Sequence, residues 1–179
     1  MFALSPKERE GEHAVRPYEM RWIWIDKFIE FTPRTSASAM KNVTLAEEHL
    51  HDLYPAFPIV PHSLIIEGMA QTAGILVGEA RNFEEKVILA KIGRATFHRL
   101  VRPGDTITFN ANIDQLNEQG ASISGTVKVA DELIAEIELM FSHIDQNMAG
   151  LAFPEHNFVF TEQFTELLKT YRTGSTVLL

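Results

Sequence analysis

The chain has 179 residues, 45 % hydrophobic and 22 % charged, with a net charge of −8 and no cysteine. These totals suit one globular domain with a sizeable core and a tail. They argue against nucleic acid as the main partner and exclude disulfides and thiolate metal sites.

Charged residues enter among Lys7, Glu8, Arg9 and Glu10, too early for a signal peptide. The one long apolar stretch is too short and too glycine-rich to span a bilayer. The expectation is a soluble, cytoplasmic protein without a membrane partner.

Ser5-Pro6-Lys7-Glu8 has a capping-box pattern with proline at the first helical position, which predicts a short helix ending near Gly11. Met20 to Phe31 is rich in aromatic and β-branched residues and predicts a strand buried on both faces, with Thr35 to Val43 as its hairpin partner. In residues 47 to 61, Pro55, Pro58 and Pro61 recur at every third position. That spacing predicts an extended, stiff loop and no helix. An apolar helix follows and runs to about Arg81. Its Gly68, Ala70, Ala73, Gly74 and Gly78 favour close approach of a sheet over intrinsic helicity.

Val87 to Phe97 reads as a strand, closed by the turn Arg102-Pro103-Gly104-Asp105. Then Ile107, Phe109, Ala111 and Ile113 alternate with polar residues, as do Ile123, Val127 and Val129, and Ala135, Ile137, Leu139 and Phe141. Short connections make these an antiparallel meander. Phe164, Leu167, Leu168 and Tyr171 lie at helical spacing, with Gly174 placed to terminate. The layout is α+β, one antiparallel sheet wrapped around one buried helix. The organisation is a body over residues 1–149, with its short N-terminal helix, and a helical extension over 150–179 packed on it.

Glu67 is the only charged residue between Ser63 and Gly78. A carboxylate on an otherwise apolar helix is costly to bury, so it finds partners or serves chemistry. Gln71, four residues on, shares its face. It either orients the carboxylate and contacts substrate or is a polar residue at a helix or dimer contact.

Three stretches carry a resemblance. They are Trp24-Ile-Asp26-Lys27-Phe28 followed by Lys41-Asn42-Val43-Thr44, then Pro55-Ala-Phe-Pro58-Ile-Val-Pro61-His-Ser-Leu-Ile-Ile-Glu67-Gly-Met-Ala-Gln71, and Ala90-Lys-Ile-Gly-Arg-Ala95-Thr-Phe97-His-Arg99-Leu-Val-Arg-Pro103-Gly104-Asp105. Together they resemble the 3-hydroxyacyl-[acyl-carrier-protein] dehydratases (FabA/FabZ-like) of the hot-dog fold. The second is similar to that family's His-Phe-Pro-Gly-x-Pro-x-x-Pro-Gly-x-Leu-x-x-Glu-x-Met-Ala-Gln signature.

The resemblance implies a lyase of fatty-acid biosynthesis without a cofactor, acting on an acyl-carrier-protein or coenzyme A thioester. It implies a homodimer, or a higher assembly of dimers, with sheets joined edge to edge. Active sites at the interface would take histidine from one chain and glutamate from the other. Glutamate assists departure of the 3-hydroxyl, and histidine removes the C2 proton.

In the ungapped match the histidine position is Leu53, the loop glycine is Ala56, and the glycine before the helix is His62. Loss of a positioned base costs about a hundredfold to ten-thousandfold. Two replacements stand. In an extended segment His51 and Leu53 would point the same way, about 6–7 Å apart; the plainer reading of His51 is a solvent-facing loop residue. His62 sits at the helix N-terminus, where the dipole favours a neutral ring; its plainer reading is capping or packing. His49-x-His51 has no third ligand at metal-binding spacing, so no metal is expected.

Substrate contacts fall on Gln71, Phe57, Arg94 and Arg99. The arginines belong to a stretch with Lys86, Lys91 and Arg102 that holds no acid before Gly104. It suits either an acidic carrier or phosphate, or a set of solvated strand faces. The function expected is a dehydratase-like enzyme on a 3-hydroxyacyl thioester. The alternatives are an acyl thioesterase using Glu67 and a catalytically silent acyl- or carrier-binding paralogue.

Overall fold

The computed structural model describes residues 22–144 and 162–174. The expected helix at Ser5 and the boundary at residue 150 lie outside the described residues. The elements are β1 (Lys27–Thr32), β2 (Ser36–Asn42), α1 (Glu48–Asp52), α2 (His62–Glu79), β3 (Lys86–Phe97), β4 (Thr106–Leu116), β5 (Gly120–Val129), β6 (Glu132–Ile144) and α3 (Glu162–Gly174). The six strands form one antiparallel sheet in the order β1-β2-β4-β5-β6-β3.

The alternating patterns translate directly into faces. Ile107, Phe109 and Ala111 of β4, Ile123 and Val127 of β5, and Ala135, Ile137 and Leu139 of β6 are all buried. Their polar neighbours take the other face, as the period of two requires. α2 packs against β2, β3, β4, β5 and β6. Its buried residues include Ile65, Met69, Thr72, Ala73, Ile75, Leu76 and Val77, spread over more than one face, which is the signature of a wrapped helix.

Close approach is purchased by missing side chains. A Cβ on Gly68 would collide with the Phe109 ring, and one on Gly125 would lie 2.6 Å from Met69 Sδ. Phe109 and Met69 are both fully buried, so these two contacts set the spacing between helix and sheet. α2 ends at Glu79, with Phe83 N–H donating to the Gly78 carbonyl at 2.8 Å. Phe164 and Leu168 of α3 join the same core, and Arg172 bonds Glu79 at 2.6 Å.

Two expectations need correction. The strand expected from Met20 begins only at Lys27. It is also not buried on both faces, because Ile29 is exposed on this edge strand. Residues 48–52, expected to be extended, form α1. Proline restrains itself and the residue before it, so Pro55 acts on Tyr54 and leaves 48–52 free. Leu50, 1 % exposed, anchors that turn in the core.

Overpacking a rigid contact costs about 1–3 kcal/mol. Gly68→Ala, which meets a buried ring, should lower the free energy of unfolding in urea by that amount. Gly125→Ala, which meets a flexible thioether, should cost less.

Candidate active site

Glu67 and Gln71 sit one turn apart on α2, as the spacing of four requires. Glu67 is half-buried and Gln71 is 6 % exposed. Gln71 Nε2 donates to Glu67 Oε1 at 2.7 Å and to the Trp22 carbonyl at 3.0 Å. Gln71 Oε1 accepts from the backbone N–H of Trp24 at 2.8 Å and, more weakly, from that of Ile25 at 3.4 Å. A buried amide leaves no polar valence unused without penalty, and here the four are filled. The same bonds explain why β1 starts late. A side chain of α2 takes the backbone groups that a neighbouring strand would otherwise take, and the ladder resumes with Asp26 N–H to the Met40 carbonyl at 2.8 Å.

The Trp24 ring, 3 % exposed, fixes this segment from the other side. Lys41 Nζ lies 4.6 Å from the ring centroid, within cation–π range. That ammonium is also 3.4 Å from Glu47 and 3.6 Å from Asp26. His49 of α1 meets the indole edge-on at 5.3 Å. Trp24 therefore links α1, which leads into the proline loop, to the helix carrying Glu67. None of this was legible beforehand. Trp24 and Gln71 are 47 residues apart, and a tryptophan in an apolar run carries no signal of what its backbone will bond.

The histidines fall elsewhere. His51 is exposed on α1. Because residues 51 and 52 are helical and Leu53 caps them in αR geometry, His51 and Leu53 do not share the direction an extended segment implies. Leu53 and Phe57 are exposed at 56 % and 48 %. His62 lies flat on Phe97, with centroids 3.9 Å apart and planes 2° apart. Among the described residues Glu67 bonds Gln71 and no imidazole.

The basic stretch is partly paired. Arg94 bonds Glu138 at 2.7 Å, and Arg99 reaches Asp105 at 3.3 Å and Glu132 at 3.5 Å. Arg102 covers the Phe57 ring at 4.8 Å. Glu67 does not line the groove of about 350 Å³ bounded by Lys91, Gln115, Asn117, Gln119 and Met140.

Comparison with known proteins places this arrangement. A FabA-like domain matches residues 17–138. The 3-hydroxyacyl-[acyl-carrier-protein] dehydratase FabZ of Rickettsia bellii (strain RML369-C) is 39 % identical over 124 residues, 67 % of this chain and 84 % of that protein. FabZ of Thermoanaerobacter sp. (strain X514) is 34 % identical over 135 residues, 75 % of this chain and 95 % of that protein.

Among solved structures, the dehydratase heterocomplex ApeI:P from Xenorhabdus doucetiae superposes with a TM-score of 0.57 at 14 % identity, over 69 % of this chain and 84 % of that one. The thioesterase HI1161 from Haemophilus influenzae gives 0.54 at 14 % identity, over 68 % and 80 %. These structural likenesses establish the hot-dog fold. The match over residues 17–138, centred on the helix that carries Glu67, shows that the chain belongs to the FabA-like family.

Proposed function

We propose that this chain is a dehydratase-type lyase acting on a 3-hydroxyacyl thioester carried by acyl-carrier protein or coenzyme A. Glu67 is its acid. The observation that carries the reading is a half-buried carboxylate held by Gln71 on the central helix, in a chain 34–39 % identical to FabZ dehydratases.

The chemistry balances with one acid and one base. The thioester carbonyl acidifies the C2–H bond, and a base takes that proton. The C2–H electron pair becomes the C2=C3 bond as the C3–O bond breaks. The departing hydroxyl takes the proton of Glu67 and leaves as water. The base belongs to the second protomer of a homodimer, from either His51 or His62. Dimerisation is supported by β3, which among the described residues has β6 as its one neighbour in the sheet and exposes Leu89 and Ile92. An unpaired edge of this kind is a template for another strand. Phe57, Arg94 and Arg99 are the proposed contacts for the acyl carrier side of the substrate.

The thioesterase reading rests on the same carboxylate, and leucine at position 53 favours it, because water activation by Glu67 needs no second base. Incubation with a 3-hydroxyacyl thioester and with its saturated analogue separates the two. Enoyl formation from the first alone is expected; thiol release from both would replace dehydratase by thioesterase, and neither product would leave a binding protein.

Glu67→Gln should lower turnover by about a hundredfold to ten-thousandfold, with an unchanged elution volume on gel filtration. Unchanged turnover would remove Glu67 from the site. His51→Ala and His62→Ala, assayed in parallel, should identify the base by a loss of comparable size in one of them. Leu53→His should raise the dehydration rate if the displaced base is the weaker arrangement.

A further inference from the structure

We infer that the outer face of the sheet carries a second binding site, for a small carboxylate with an aliphatic body. The site is the groove of about 350 Å³ on the side away from α2, and it is independent of the chemistry at Glu67. That volume lies at the lower end of the range for ligand pockets.

The strand register builds it. Gln115 of β4 pairs with Ser122 of β5, Ser122 with Met140 of β6, and Met140 with Lys91 of β3. These residues form one row across four strands, about 14 Å long at the usual strand spacing. Ala121, Ile123, Leu139 and Phe141, their neighbours along β5 and β6, are buried, so the row faces outward. Each end of the row falls at a register shift, one between Leu89 and Lys91 and one between Ile113 and Gln115. A bulge bends its strand and sharpens the local twist. Here two bent strands flank β5 and β6, and the groove lies between them.

The lining carries a single charge. Lys91 is exposed and makes no ion pair among the described residues, whereas Arg94 is paired with Glu138 and Arg99 with Asp105 and Glu132. Among the described residues no carboxylate lines the groove, in a chain of net charge −8. Asp114, the extra residue of the β4 bulge, is held by the Ser124 hydroxyl at 2.6 Å. The rim is neutral and rich in donors. Asn117 Oδ1 accepts the backbone N–H groups of Gln119 and Gly120 at 2.8 and 3.1 Å, which leaves its NH2 group for a ligand. The carboxamides of Gln115 and Gln119 and the Ser122 hydroxyl complete that rim. Met140, 48 % exposed, gives the floor an apolar surface together with Ala90. One ammonium, neutral donors and an exposed thioether match one anionic head on an alkyl chain. A dianion would leave a charge unmatched, and a cation would meet Lys91.

The test uses the full-length protein carrying methyl-labelled methionine, titrated with octanoate, octanol and octylamine. The Met140 methyl should shift saturably with octanoate, while that of Met69, fully buried against Gly125, stays fixed. Lys91→Met should weaken octanoate binding by about tenfold or more, the size of one charge-assisted hydrogen bond. Octylamine should leave Met140 unmoved. A Met140 methyl that ignores octanoate overturns the proposal. So does octanol binding as tightly as octanoate, or unchanged affinity in Lys91→Met, since either reduces the groove to an apolar surface. A shift at Met69 rather than Met140 would place octanoate against the central helix and equally overturn it. None of these measurements needs turnover, so the outcome does not depend on whether the chain is a dehydratase.

Discussion

A helix buried by a sheet that wraps it has no solvent to satisfy its polar side chains, and that constraint organises this molecule. α2 packs against β2, β3, β4, β5 and β6. Any polar group on it must therefore find protein partners or keep a path to water. Thr72 solves this locally, its hydroxyl donating at 2.7 Å to the Gly68 carbonyl one turn back. Gln71 solves it at long range by capturing the backbone of residues 22–25. Glu67 takes the last donor of that amide and stays half-buried, where its second oxygen is not committed to a partner among the described residues.

The packing that makes this possible is unusually dependent on absent side chains. Gly68 admits the Phe109 ring against the helix backbone, and Gly125 admits Met69 from the other direction. Phe109 is held between Ala39 and Val127 by the β2–β4–β5 register, so small residues flank the large one in the sheet as well. Glu67 immediately precedes Gly68. The carboxylate therefore sits one residue from the close helix–sheet contact at Gly68.

Family membership and local geometry answer different parts of the functional question. The match to FabZ proteins speaks to 67–75 % of the chain. The geometry speaks to one carboxylate and its neighbours, and it shows two histidines occupied or exposed rather than turned on Glu67. His62 is stacked on Phe97, and His51 rides the outside of a short helix.

Sequence alone determined what depends on local periodicity. The β4–β5–β6 meander, the extent of α2 to within a few residues, the turn at Gly104 and the apolar stripe of α3 all follow from spacing, since period two or 3.6 is imposed by the backbone itself. The Glu67 and Gln71 pair was legible for the same reason, being four residues apart on one helix. Tertiary structure decided the rest. Residues 22–25 have strand-like composition yet pair with a side chain, because a buried carboxamide competes successfully for their backbone groups. Residues 48–52 become helix because Leu50 finds the core, which outweighs the extended bias that prolines impose further along. The order of strands, with β3 beyond β6 at the far edge, depends on contacts between distant segments. No local pattern encodes which edge a strand will join.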